Sequence, residues 1–275
     1  MEVIEQYLKS KTNNQADCED SIFVSDNFAA VIDGATSKST RKYNNELSGK
    51  ACSQLLKQVL ENLPLKSSAG QAIEFLSVTV FALYKNLGIV EHLKKNPVER
   101  ASACVVIYSK HKNEIWMVGD CQCLVDKTHY TNKKSIDDLL SNIRSLYIQT
   151  EFNLGKSYKS IQANDPGREY ILPLLERQML FQNSLKKSEF TYGVIDGFKV
   201  PKSEIKVIKL SNQRNIVLAS DGYPMLFATL AQSEKYLNKL IKEDSLCYQE
   251  YKSTKGLKQG YSSFDDRAFL KLRRV

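Results

Sequence analysis

No apolar run in this sequence approaches the roughly 18 residues needed to cross a bilayer, and Met1 to Lys9 lack the charged-then-apolar order of a signal peptide. No membrane contact is expected, and the expected compartment is the cytoplasm. The six cysteines, Cys18, Cys52, Cys104, Cys121, Cys123 and Cys247, form no compact disulfide framework in a chain of 275 residues. Cys121 and Cys123 make a C-x-C pair, but no second pair or nearby histidine completes a zinc set, so they read as small strand hydrophobes. No Cys–His or Ser–His grouping suggests a nucleophile with its base. Low-complexity tracts, internal repeats and Pro/Gly-rich linkers are also missing, so the chain reads as one domain over residues 1–275. An apolar fraction of 42% suffices for a core, and 25% charged residues is an ordinary globular value.

Charge of one sign is in modest excess. With 39 Lys and Arg against 31 Asp and Glu, the net charge is +8. The surplus is mostly lysine spread along the chain, which fits a solubilising surface and anionic partners such as phosphoproteins. No basic-aromatic interleaving of the RNA-binding kind occurs, so nucleic acid is not expected.

The most informative stretch is Glu19 to Thr36, EDSIFVSDNFAAVIDGAT. Ile22–Val24 and Phe28–Ile32 read as two strands. Asp26 and Asn27 tolerate the left-handed backbone that a two-residue hairpin turn favours. If Ser25 faces Phe28, successive partners sum to 53, and Asp20 lies opposite Asp33. Two opposed carboxylates repel unless a cation or a proton lies between them.

Further along, residues 1–12 suit an edge strand or a short helix. Apolar residues at helical spacing run over 47–63 and 72–87, consistent with a helix pair packed on a sheet. Strands are expected at Ser102–Tyr108 and Glu114–Val118. They are followed by a bend at Gly119 that aims Asp120 off the sheet. Helical patterns occupy 135–148 and 168–183. Asp196-Gly197 reads as a hairpin turn rather than a metal site. Two strands fall within 205–220, split at 211–213. The second ends at Asp221-Gly222, with Pro224 opening an amphipathic helix of about 20 residues. Asp265 and Asp266 precede a last strand, Arg267 to Leu272.

Glu19, Asp20, Asp33, Asp120, Asp221, Asp265 and Asp266 thus all border apolar strands. Together they make a set of hard oxygen donors suited to Mg²⁺ or Mn²⁺.

The order of these motifs (CED at 18–20, VIDGAT at 31–36, VGDCQC at 118–123, ASDG at 219–222 and FDDRAFL at 264–270) resembles the type 2C metal-dependent Ser/Thr protein phosphatases over about 250 residues. The resemblance implies an α+β fold, a four-layer α-β-β-α sandwich of two antiparallel sheets flanked by helices. It implies that Asp33 bridges two Mn²⁺ or Mg²⁺ ions, that the Gly34 carbonyl binds one, and that Asp221 and Asp265 complete the other site. Glu19 and Asp20 would hold metal-bound waters, and Asp120 matches the position of a third, weaker ion. The implied substrate is a phosphorylated protein, the phosphatase opposing a Ser/Thr kinase.

Three positions depart from the family pattern. Gln15 stands where many members have a phosphate-gripping arginine. Ala35 follows Gly34 where many have the histidine of DGH. Asp266 stands where Asn is common. Lys38, Arg41 and Lys42 are the nearest substitute cations in sequence. These departures motivate a second reading, a catalytically degenerate domain acting as a binding or regulatory module. A haloacid-dehalogenase-like reading of Asp33-Gly34-Ala35-Thr36 fails because that chemistry wants a second Asp at position 35.

Overall fold

A computed structural model describes residues 1–132, 134–186 and 188–274. In chain order the strands are β1 (Glu2–Lys9), β2 (Ser21–Val24), β3 (Phe28–Gly34), the two-residue β4 (Lys42–Tyr43) and β5 (Glu46–Leu47), β6 (Ala103–Ser109), β7 (Glu114–Val118), β8 (Gln122–Val125), β9 (Thr128–Thr131), β10 (Lys206–Lys209), β11 (Asn215–Ala219) and β12 (Arg267–Arg273). The helices are α1 (Ser48–Val59), α2 (Ala69–Asn86), α3 (Val90–Lys95), α4 (Ser135–Asn153), α5 (Tyr158–Asn164), α6 (Pro166–Arg177) and α7 (Leu230–Glu243).

Two antiparallel five-stranded sheets result, flanked by helices. One has the order β1-β12-β11-β8-β9 and the other β10-β7-β6-β3-β2. Alternation along β3 shows how the layers are built, since successive side chains of a strand point to opposite faces. Ala30 and Ile32 pack with Leu56, Ile73 and Leu76 of α1 and α2. Ala29 and Val31 pack between the sheets with Ile216, Leu218, Ala268 and Leu270. On the outer face of the first sheet, Leu124, Val217 and Phe269 meet Tyr223, Leu226 and the start of α7 at Leu230. Burying a large apolar side chain contributes on the order of 1.5–3 kcal/mol, so these three layers supply most of the drive to fold.

The hairpin register is the one that the sum of 53 predicts: Ser21 pairs with Ile32, Ile22 with Val31 and Val24 with Ala29. Its turn is built differently. Neither Asp26 nor Asn27 has a positive φ. Ser25 Oγ instead accepts hydrogen bonds from the amides of Asn27 and Phe28, closing the turn through a side chain.

Two other expectations are corrected. Asp196-Gly197 forms no hairpin; this segment touches the sheet only through an isolated bridge between Ile195 and Ala103. The helix expected from Pro224 begins at Leu230, where Thr229 accepts from the Gln232 amide as N-cap, and it is 14 residues long. Residues 1–12 resolve as an edge strand, β1, paired to β12. No helix among the described residues is long and apolar enough to cross a membrane.

Candidate metal centre

All the carboxylates named above sit at one rim of the sandwich. Asp20 precedes β2, Asp33 is the penultimate residue of β3, Asp120 lies between β7 and β8, Asp221 follows β11, and Asp265 and Asp266 precede β12. Asp33 follows Val31 by two residues and so faces the gap between the sheets. Gly34 faces the other way, against α1. A Cβ there would stand 2.4 Å from the Glu19 carbonyl and 2.6 Å from that of Gly49, a space that only glycine fits. At Gly119, φ is +80° and a Cβ would meet Cys104 Sγ at 2.2 Å. The bend expected at that position is therefore obligatory, and it delivers Asp120 to the rim.

One oxygen each from Asp33, Asp120 and Asp221 lie within 4.8 Å of one another. Burial pushes the Asp33 carboxyl well above the usual carboxylate range, and the charges of Asp20, Asp120 and Asp265 add to the effect. Burial does the same to Asp221, reinforced by Asp33 and Asp265. Asp20 is likewise raised by burial and by Asp266. Buried carboxylates without cations are driven to protonate. Glu19 Oε1 and Asp20 Oδ2 are buried and have no hydrogen-bond partner. Unpaired oxygens, oxygen-only donors and a surplus of negative charge fit a divalent ion such as Mg²⁺ or Mn²⁺.

Lysines also enter the rim. Lys134 Nζ lies 2.7 Å from Asp120 Oδ2. Burial opposes ionisation of Asp120, but Lys134 outweighs it and holds the carboxyl below its ordinary value. Lys11 Nζ lies 2.8 Å from Glu19 Oε2, 3.3 Å from Asp266 Oδ2 and 3.6 Å from Asp265 Oδ1. Lys255 pairs with the other oxygen of Asp265. Desolvation opposes ionisation of the half-buried Asp265 as well, yet Lys255 and Lys11 together lower its pKa. Asp266 accepts from the Lys11 amide with Oδ1 (2.7 Å) and from the Glu19 amide with Oδ2 (3.1 Å), which suits a carboxylate, since an amide side chain has only one acceptor oxygen.

Above the rim opens a cavity of about 350 Å³. Asp33, Asp120, Asp221 and Asp265 are among the residues on its walls, as are Lys38, Lys134, Arg168 and Lys255. Among the described residues, Lys38 has no ion-pair or hydrogen-bond partner. Burial lowers its pKa to about 8, with Asp137 opposing and Lys134, Arg168 and Lys255 assisting. Arg168 comes from α6, where its Nη1 donates to the Thr254 carbonyl at 2.7 Å. Arg41 pairs with Glu99, away from this cavity.

The rim thus gathers Glu19, Asp20, Asp33, Asp120, Asp221 and Asp265, with Gly34 beside them. Asp120 belongs to the innermost trio, whereas Asp265 is engaged by lysines. Sequence reasoning named Lys38 but missed Lys11, Lys134, Arg168 and Lys255. No motif carries these four: each sits in a polar stretch that reads as ordinary surface.

The sequence matches no protein-family model, and no curated protein matches it. Solved structures do. A bacterial serine phosphatase is 13% identical, covering 99% of this chain and 97% of its own, with a TM-score of 0.47. Serine/threonine phosphatase Stp1 from Staphylococcus aureus is 12% identical, with coverages of 98% and 94% and a TM-score of 0.46. The catalytic domain of the serine/threonine phosphatase PstP, in complex with two manganese ions, is 15% identical, with 99% coverage of both chains and a TM-score of 0.45.

Proposed function

We propose that this chain is a divalent-cation-dependent hydrolase of phosphomonoesters, with phosphoserine and phosphothreonine in proteins as its substrates, opposing a Ser/Thr kinase. One observation carries the reading: a half-buried carboxylate trio, Asp33, Asp120 and Asp221, lies in the same 350 Å³ cavity as the cationic side chains of Lys38 and Arg168. The trio suits a cation and the cationic wall suits an anion, and a phosphate ester bound across both uses each. The five motifs at 18–20, 31–36, 118–123, 219–222 and 264–270 support phosphoprotein as the substrate class, on a single domain of residues 1–275.

Asp33, Asp120 and Asp221 are the residues that would hold Mn²⁺ or Mg²⁺, with the Gly34 carbonyl and Asp265 beside them. When bound, such ions lower the pKa of a coordinated water and neutralise phosphoryl oxygens. The chain's own groups do the rest. Lys38 and Arg168 draw the phosphate into the cavity and orient it. The unpartnered oxygens of Glu19 and Asp20 are acceptors available to orient water. Lys38, with its pKa near 8, holds a proton suited to the departing serine or threonine oxygen. Cys104 lines the cavity, but burial and the nearby Asp120 charge keep its thiol protonated, so it is no nucleophile.

The test is hydrolysis of p-nitrophenyl phosphate with and without Mn²⁺, wild type beside Asp33→Asn. Turnover that requires Mn²⁺ and disappears in the variant is the expected result. Absence of turnover at millimolar Mn²⁺ would favour the binding-module reading, to which the lysines already paired with Asp120 and Asp265 lend a specific observation.

A further inference from the structure

The rim carboxylates divide into two groups with opposite electrostatic needs. Among the described residues, Asp20, Asp33, Asp120 and Asp221 share one ammonium group, that of Lys134. Within this group Asp20, only 4% exposed, keeps an oxygen without a partner. Glu19, Asp265 and Asp266 have two ammonium groups among the described residues, those of Lys11 and Lys255. Counted as ionised groups, the first set carries an excess of three negative charges and the second an excess of one.

Both lysines are fixed. The Lys11 amide donates to Asp266 and its carbonyl accepts from the Ser262 amide at 2.9 Å, while its Nζ also donates to Thr36 Oγ1 at 3.2 Å. The loop that carries Lys255 is tied to the fully buried Arg144, which donates to the carbonyls of Leu246, Cys247 and Ser253. Displacing either ammonium means breaking a half-buried ion pair and leaving its carboxylate partners without that charge.

We propose that Lys11 and Lys255 are built-in counter-cations that take the place of a second metal ion, so that the chain binds one divalent cation, at Asp33, Asp120 and Asp221. The proposal rests on the metal-dependent reading given above and specifies its stoichiometry. It makes Asp265 the carboxylate that the lysines withhold, and Lys11 and Lys255 the residues that set the number of ions.

The experiment is calorimetric titration of the purified chain with MnCl₂ at neutral pH, with electron paramagnetic resonance of the loaded protein. Wild type should bind one ion and give an uncoupled Mn²⁺ spectrum. The double variant Lys11→Met/Lys255→Met should bind two and give the exchange-coupled spectrum of neighbouring ions. If circular dichroism shows the double variant unfolded, Lys255→Met alone, which frees one Asp265 oxygen and leaves Lys11 in place, should show a second, weaker binding event. Two ions in the wild type would overturn the proposal and leave the metal-dependent reading standing. One ion in both wild type and folded variants would equally overturn it. No Mn²⁺ binding by any form would remove the metal-dependent reading itself, and the proposal with it.

Discussion

The tripeptide Ile-Asp-Gly occurs twice, at 32–34 and 195–197, and the fold sets the two copies on either side of one residue. Gly34 pairs with Ala103 in the β3–β6 ladder, and Ala103 exchanges backbone hydrogen bonds with Ile195 at 3.0 and 2.9 Å. Their aspartates nevertheless meet opposite fates. Asp196 is fully buried and accepts from Arg100 Nη1 at 2.9 Å, Gln182 Nε2 at 2.7 Å, Asn183 Nδ2 at 2.8 Å and the Phe198 amide at 3.0 Å. Asp33 faces other carboxylates, with one long contact, 3.5 Å, from the Asp221 amide. A buried carboxylate surrounded by donors serves stability; one surrounded by its own kind is held at a cost and needs a cation from outside.

The comparison can be broken most severely at Asp33. Asn at this position should lower Mn²⁺-dependent phosphatase turnover by about 10³-fold or more, the scale of removing a central electrostatic group from a site. Circular dichroism should stay unchanged. Activity within tenfold of wild type would mean that Asp33 is not central. At Asp196 the damage should fall on the fold. Asp196→Ala strands Arg100 and should lower unfolding free energy by about 3–5 kcal/mol in urea titrations, with turnover per folded molecule preserved.

A pH series sharpens the same contrast. Asp33 and Asp221 have folded pKa values above their unfolded ones. Their contribution to the metal-free protein is therefore fully present below the unfolded carboxylate pKa and is lost as pH rises through the folded values. The rise in Tm on adding Mn²⁺ should accordingly be larger at pH 7.5 than at pH 5, and Asp33→Asn should flatten that difference. A metal-induced Tm shift independent of pH would contradict the assignment.

The smallest expected effect is at Lys38. With p-nitrophenyl phosphate, whose leaving group needs no proton, Lys38→Met should raise KM about tenfold, the loss of one charge-assisted hydrogen bond. Wild-type KM should climb above pH 8 as Lys38 loses its proton, and the variant's KM should not.

The two copies also show what could be read in advance. The carboxylates at 20 and 33 were legible because strand alternation and a two-residue turn fix the register, which the ladder follows from Val24–Ala29 to Ser21–Ile32, one residue short of the two aspartates. Asp120 and Asp221 were legible because each adjoins a glycine at a strand end. The role of Asp196 was not, since its partners lie at positions 100, 182 and 183 and no local pattern joins them. The lysines escaped for a related reason. An ammonium on a four-carbon stem reaches its partner by tertiary placement, and Lys11 meets Asp265 across 254 positions of sequence. The start of α7 was misjudged because Pro224 suits a first helical turn, whereas the cap that begins the helix is Thr229.

Arg144 carries one more consequence. It has no exposed surface, holds Asp165 with Nε and Nη2, and binds three carbonyls of residues 246–253. The Asp165 carboxylate in turn accepts from the Gly256 amide at 3.4 Å, next to Lys255. The helices that roof the cavity and the loop that supplies its ammonium are therefore riveted to one another. A shift of α4 or α6 would strain the hydrogen bonds that hold the loop carrying Lys255, the lysine paired with Asp265.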